Sequence, residues 1–150
     1  MAFDPIADIR RPGHAERIRE YSTEAEALFG RLAERHSLHF EVDHSAPVEV
    51  LWRFPEQDRL FFPLILGLQN NDELNFGVAK FWSYFWPFPE KAAEFEHIVD
   101  AWVIGKARIV SRVFSEDLQL WGGTQWRKVY SAGRIWPEFG VGRIVQNRSG

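Results

Sequence analysis

The sequence of 150 residues contains no cysteine. Disulfide bonds, thiolate zinc sites and cysteine nucleophiles are therefore excluded. Long hydrophobic runs are also missing, since the longest, Leu60–Leu68, is interrupted by Pro63 and Gly67. A transmembrane helix needs about 20 apolar residues, so we expect no membrane span. The first residues include Asp4 and Asp8 and no apolar run. They do not resemble a secretory signal, and we expect a cytoplasmic protein.

Motifs that identify a reaction are missing as well. The chain has no Gly-x-Ser-x-Gly elbow, no glycine-rich dinucleotide fingerprint and no phosphate-binding loop. His39, Glu41 and Asp43 share one face of a predicted strand, but their spacing matches no metal-binding motif. We therefore predict no catalytic residue, no metal site and no cofactor. The sequence favours a protein without enzymatic activity but leaves that question open.

Aromatic side chains are frequent, with 13 Phe, 7 Trp and 3 Tyr. Hydrophobic residues make up 45% and charged residues 26% of the chain, which is typical of a folded globular protein and not of a disordered one. The length predicts one domain. We place this domain at residues 14–145, between a flexible N-terminal arm (1–13) and a frayed tail (146–150).

Charge is distributed unevenly along the chain. Residues 1–105 hold 10 Lys and Arg against 18 Asp and Glu, a net charge of −8, whereas residues 106–150 hold 8 against 3, a net charge of +5. Such asymmetry can steer a partner or pair two copies head to tail. The overall charge of −3 disfavours nucleic acid as a partner. The C-terminal strands are predicted to present a solvated, basic sheet face. The alternative is that this face binds single-stranded nucleic acid. Its residues are Arg108, Arg112, Trp126, Arg127 and Lys128.

Hydrophobic periodicity predicts an α+β protein. Apolar residues at spacings of three and four favour one N-terminal helix over residues 14–36, although Thr23 and Glu26 form a capping box that would start a shorter helix. Pro89 and the stop signal Gly105-Lys106 bound a second helix. Short connections predict an antiparallel meander of about seven strands, interrupted by the second helix, which packs on one sheet face. Seven strands are predicted at 38–42, 48–54, 59–69 (with a bulge at Pro63), 73–86, 108–114, 118–121 and 124–130, and an optional eighth, short strand at 143–145.

One hairpin can be predicted down to its register. With the three-residue loop Asn70-Asn71-Asp72, Leu68 faces Leu74 and the large apolar side chains of both strands fall on one face. A two-residue loop would mix apolar and polar side chains on each face, which is costly where one face is buried. Three-residue loops need a positive φ near the third residue, here Asp72. The same register opposes Leu66 to Phe76 and Leu64 to Val78.

The other face of this hairpin carries two glycines and several polar residues. Gly67 and Gly77 nearly oppose each other there and leave a space without side chains. Gln69, Glu73 and Asn75 lie beside that space. Polar groups that converge on a cavity are the usual form of a small-molecule site. One hypothesis is therefore a small-molecule-binding protein or small enzyme, with a pocket between the sheet and the second helix. The alternative for the polar residues is a solvated hairpin end.

The segment Phe81–Pro89 is aromatic at six of its nine positions. Alternation along a strand places these rings on both faces, and one helix can cover only one face. We therefore predict that at least one of Trp82, Tyr84 and Trp86 is exposed in the monomer. The favoured function is a small protein-interaction module of unknown partner, homodimeric through an aromatic surface; the alternative is that the rings are core beneath the second helix. The candidate interaction or ligand-binding residues are Gln69, Glu73, Asn75, Trp82, Tyr84 and Trp86.

Overall fold

A computed structural model describes the backbone of residues 12–134 and 141–147 and the side chains of 21–134 and 141–147. These ranges form two helices and nine strands. The helices are α1 (Pro12–Arg35) and α2 (Phe88–Val103). The strands are β1 (Glu41–Val42), β2 (Val50–Phe54), β3 (Leu64–Gln69), β4 (Glu73–Val78), β5 (Phe81–Phe85), β6 (Ala107–Ser111), β7 (Ser115–Trp121), β8 (Trp126–Gly133) and β9 (Ile144–Val145).

The first helix, α1, is continuous, as the apolar periodicity predicts. Its buried stripe faces the sheet, where Phe29 packs edge-on against Trp52 of β2 at 5.7 Å between ring centroids. Thr23 lies inside the helix, so the capping-box pattern does not mark its start. The helix begins at Pro12. The prediction of a flexible arm at residues 1–13 is therefore wrong for residues 12 and 13. Residues 1–11 of that arm lie outside the described ranges.

Strands β1 to β5 form an antiparallel sheet in sequence order. The β3–β4 hairpin has the predicted register, and Leu68 faces Leu74 across it. The positive φ angles of this loop are at Asn70 (50°) and Asn71 (76°). The prediction of a positive φ at Asp72 is therefore wrong. Asparagine tolerates this region because its short side chain can bond to nearby backbone. The other predicted pairs are also observed: Leu66 with Phe76 and Leu64 with Val78.

The first three strands of this sheet are shorter than predicted, and the segment predicted as one strand at 73–86 forms two antiparallel strands, β4 and β5. β1 covers only Glu41–Val42, and β3 begins at Leu64, directly after Pro63. Proline lacks the N–H that a ladder position needs, so the strand starts after Pro63 and the expected bulge is absent from it. Gln57 and Leu60 form an isolated bridge in the preceding turn instead.

The second helix, α2, covers one face of the first sheet, called the inner face below. Phe95 packs edge-on against Phe85 of β5 at 5.9 Å between centroids. Trp102 packs edge-on against Phe76 of β4 at 5.7 Å. All four rings are buried. The apolar stripe of α2 therefore forms core against the sheet.

The remaining strands form a second antiparallel sheet in the order β8-β7-β6-β9. Ile109 of β6 and Leu118 of β7 face each other and join the same hydrophobic core as the first sheet. Tyr130 of β8 links the two sheets, because its ring packs on Phe85 and its hydroxyl accepts a hydrogen bond from the Tyr84 backbone N–H (3.1 Å). The α+β class is confirmed. The antiparallel strands, interrupted by α2 as predicted, form two sheets, since β5 and β8 meet through a side chain and not through a ladder.

The C-terminal segment is anchored up to residue 147. The buried Asn147 side chain accepts a hydrogen bond at Oδ1 from the Phe61 backbone N–H (2.8 Å). Its Nδ2 donates to the backbone carbonyls of Arg59 and Val103, each at 2.9 Å. Gln146 makes a further bond to the loop after α2. The frayed tail predicted at 146–150 is therefore wrong for residues 146 and 147, and residues 148–150 lie outside the described ranges.

Candidate interaction surface

Most of the predicted site residues lie on the outer face of the first sheet, which turns away from the helices. Strand alternation places Gly67 and Asn75 there and places Phe76, which packs on Trp102, on the inner face. The space between the sheet and α2 holds the apolar side chains of the core. The pocket predicted at that position is therefore wrong, because its residues and α2 lie on opposite sides of the sheet. The outer face also carries Leu51, Ile65, Gln69, Glu73, Gly77, Trp82 and Tyr84.

A tryptophan from the neighbouring strand fills the space at Gly77. A Cβ atom at Gly77 would lie 2.6 Å from Cε3 of Trp82, so the indole ring rests directly on the glycine backbone. The two residues are opposite each other in the β4–β5 register. A glycine inside a strand often permits such a close approach. The space that the sequence predicts is thus occupied by a side chain of the same chain.

Gly77→Ala is expected to lower the free energy of unfolding by about 1–3 kcal/mol, because the added methyl group displaces the Trp82 ring. Gly77 has no positive φ, so the loss has no contribution from backbone strain. The same substitution in a Trp82→Ala background should cost little, since alanine leaves room for the methyl group. Denaturant unfolding of the four proteins measures this coupling. Equal losses in both backgrounds would contradict the contact.

Asn75 occupies the space beside the second glycine. Its side chain is completely buried, and its Nδ2 donates to the Ser83 carbonyl (3.2 Å). A Cβ atom at Gly67 would lie 3.2 Å from the Asn75 Oδ1. The amide therefore links β4 to β5 inside the outer face, and it is not accessible to a ligand in this arrangement.

Gln69 and Glu73 lie opposite each other at the end of the β3–β4 hairpin. Both are half-buried, and Oε2 of Glu73 accepts a hydrogen bond from the Asn70 side chain in the loop (3.1 Å). The three polar residues predicted for the site are thus neighbours. Of these three, Gln69 and Glu73 reach the surface, whereas Asn75 lies beneath it.

Tyr84 and Trp86 are exposed at the end of β5. Their exposed fractions are 48% and 59%, which confirms that at least one of the three aromatics is exposed in the monomer. Trp82 is half-buried over its glycine. Phe85 and Phe88 stand on either side of Trp86 along the chain, and both are buried. Core contacts therefore hold the backbone that presents Trp86. We call Trp82, Tyr84 and Trp86 the aromatic patch.

The histidines and carboxylates around β1 remain apart. Asp43 accepts hydrogen bonds from the Ser45 hydroxyl (2.7 Å), the Ser45 backbone N–H (2.9 Å) and Nε of Arg53 (3.0 Å). These bonds, with that of the Ser45 hydroxyl first, lower the pKa of Asp43 to about 2. His39 donates its backbone N–H to the Gln57 side chain (2.8 Å). Across residues 21–134 and 141–147, no three His, Asp or Glu side chains are placed to hold a metal ion.

One polar cluster was missed by the sequence analysis. Nε2 of His36, after the end of α1, lies 2.6 Å from Oδ1 of Asp100 in α2. Nη1 of Arg35 lies 2.6 Å from Oδ2 of the same carboxylate, and its Nη2 lies 2.8 Å from Glu96. Sequence spacing could not reveal these pairs, because their members are more than 60 positions apart. The cluster joins the two helices.

The second sheet carries a stacked group of basic and aromatic side chains. Cζ of Arg108 lies 4.2 Å from the ring centroid of Trp126, and its Nε donates to Oε1 of Gln119 (2.8 Å). The Trp121 and Trp126 ring centroids are 5.4 Å apart. Burial, followed by the charge of Arg112, lowers the pKa of Arg108. Arg108 and Trp126 are half-buried, whereas Arg112, Arg127 and Lys128 are exposed, as expected for the solvated face that the sequence predicts.

Neither helix in the described ranges combines the length and apolar composition of a bilayer-spanning segment. Comparison with known protein families, with curated proteins and with solved structures finds no match for this chain. The fold and its surface define an α+β protein with an exposed aromatic patch at the end of β5, whose inner-face side chains are buried. Function is therefore inferred from the geometry of that surface.

Proposed function

We propose that the protein is a small protein-interaction module that forms a homodimer through the aromatic patch. The observation that supports this most directly is the exposure of Tyr84 and Trp86, two large aromatic side chains within three residues. Tryptophan and tyrosine are enriched among the residues that dominate binding energy at protein interfaces. Each can bury about 150–250 Å² when it is covered by a partner.

The backbone around the patch favours binding because it is already ordered. Phe85 and Phe88 are buried on either side of Trp86, and the Tyr84 backbone N–H is bonded to the Tyr130 hydroxyl. Association costs less conformational entropy when the contact residues are held in place beforehand. The patch therefore has the rigid support that an interface centre requires.

A second copy of this chain is the partner we propose. A stable interface buries about 800 Å² on each partner, so contact would extend from the aromatic patch onto the neighbouring outer face. The net charges of −8 in residues 1–105 and +5 in residues 106–150 support self-association, since the acidic segment of one copy attracts the basic segment of another. Pairing would also cover the outer face, which neither α1 nor α2 covers.

Trp86→Ala and Tyr84→Ala are each expected to shift the protein from dimer to monomer while leaving the fold intact. The reason is that truncation of a central aromatic commonly costs about 2 kcal/mol or more of binding energy, whereas exposed side chains add little to folding. Size-exclusion chromatography with light scattering measures the mass, and circular dichroism checks the fold. Phe114→Ala is the matched control, because Phe114 is 60% exposed in the turn between β6 and β7.

Two results would overturn the proposal. A wild-type protein that stays monomeric at high concentration would remove the homodimer. A dimer that survives both aromatic substitutions, or that Phe114→Ala disrupts equally, would place the interface elsewhere.

A further inference from the structure

A basic patch surrounds the hairpin that joins β7 to β8. Its aromatic centre is the Trp121–Trp126 pair, on which Arg108 stacks. The Lys106 carbonyl accepts a hydrogen bond from the Trp121 backbone N–H (2.9 Å), so Lys106 lies beside the two tryptophans. The patch consists of Lys106, Arg108, Trp121, Trp126, Arg127 and Lys128.

Among the side chains that the structure describes, the cations of this patch have no acidic partner. Arg108, Arg127 and Lys128 form no ion pair with any carboxylate that the structure describes, whereas arginines elsewhere, such as Arg53, do. Asp117, the acidic residue farther along the same sheet face, is already bonded to Ser131 (2.7 Å) and lies 3.5 Å from Nε of Arg112. The patch is therefore a local surplus of positive charge.

Positive charge lies on both sides of β8. Lys128 pairs with Gln119 and so shares the sheet face of Arg108 and Trp126. Arg127 pairs with Leu120, on the opposite face, where it lines a cleft of about 310 Å³ together with His97 of α2. A strand laid beside β8 would alternate its side chains between these two faces.

Within the described ranges, the edge of β8 is open along the first half of the strand. β8 is the outermost strand of its sheet in the described ranges. Its second half approaches β5 through Tyr130, and Trp126–Val129 have no neighbouring strand on the outer side among the described residues. An open edge presents backbone N–H and C=O groups that can pair with an extended chain.

We propose that the open edge of β8 binds an extended, acidic peptide segment of a protein partner by strand addition. The backbone of the segment pairs with Trp126–Val129, and its carboxylates meet Arg108 and Lys128 on one face and Arg127 on the other. The Trp121–Trp126 rings cover apolar parts of the segment.

Charge favours an acidic peptide over the two other candidate partners at this edge, a second copy of the chain and a nucleic acid. Edge-to-edge pairing of two copies at β8 would bring Arg127 and Lys128 of both copies together, and like charges across an interface are unfavourable. A long nucleic acid would also meet the −8 charge of residues 1–105, whereas a short acidic segment meets only the patch.

The test uses the full chain and a fluorescein-labelled synthetic peptide of about ten residues in which glutamate alternates with valine. Fluorescence anisotropy is expected to show saturable binding that weakens as salt is raised. The double variant Arg127→Glu/Lys128→Glu should lower the affinity about tenfold or more. The control Arg59→Glu/Lys91→Glu changes net charge equally at residues outside the patch and should leave the affinity unchanged. Repetition in the Trp86→Ala background separates this site from the proposed dimer interface.

Three further probes can overturn strand addition. A peptide with N-methyl groups at alternate positions cannot donate those backbone hydrogen bonds, so equal affinity for it would contradict the proposal. Equal affinity for oligothymidylate would indicate a general polyanion site. Equal affinity for a lysine–valine peptide, or equal losses in the control variant, would remove the role of the β8 cations.

Discussion

Trp102→Ala is expected to lower the free energy of unfolding by about 3–5 kcal/mol. Trp102 is completely buried in α2, where its ring packs edge-on against Phe76. Truncation removes this buried surface and leaves a cavity that the surrounding core fills only in part. Since domains are commonly stable by about 5–15 kcal/mol, a large share of the stability would be lost. Urea unfolding followed by far-UV circular dichroism measures the change.

Trp86→Ala is the matched control for this substitution, because it removes the same side chain from an exposed position. Its effect on the unfolding free energy of the monomer should stay within about 0.5 kcal/mol. The comparison is made at low protein concentration, since dimer formation adds apparent stability. A loss for Trp86→Ala as large as that for Trp102→Ala would contradict the assignment of one tryptophan to the core and the other to the surface.

Asn147→Ala is expected to lower the free energy of unfolding by about 2–4 kcal/mol. The substitution removes three hydrogen bonds, and it leaves the Phe61 N–H and the carbonyls of Arg59 and Val103 without their partner. A buried polar group that loses its partner costs more than the net value of the bond itself. Denaturant unfolding measures the loss, and faster hydrogen exchange of the Phe61 amide locates it.

Gln146→Ala provides the comparison, because the Gln146 side chain makes one hydrogen bond to the described part of the chain, to the Gly105 carbonyl (2.8 Å). We expect a loss of about 1 kcal/mol for this variant. Equal effects of the two substitutions, or unchanged exchange of the Phe61 amide in Asn147→Ala, would show that Asn147 does not anchor the C-terminal segment.

The β3–β4 hairpin could be predicted from sequence because its determinants are local. The loop length is decided by which register gathers the apolar side chains on one face, and Leu68 faces Leu74 as that reasoning requires. In the same way, the alternation of side chains between the two faces of a strand predicted that at least one of Trp82, Tyr84 and Trp86 is exposed. In contrast, the choice of Asn70 and Asn71 for the positive φ angles depends on the backbone path of the loop, which residue preferences alone do not determine.

The α+β class, the single first helix and the register of the central hairpin were determined by the sequence itself, because periodicity and turn chemistry act between residues a few positions apart. The tertiary structure alone decided which face of the first sheet α2 covers. It placed Trp82 in the space at Gly77 and moved the expected pocket residues to the side of the sheet away from α2. It also joined Asn147 to Phe61 across 86 positions of chain. Contacts of this kind depend on how separate elements pack, and a pattern within one element carries no information about its distant neighbour.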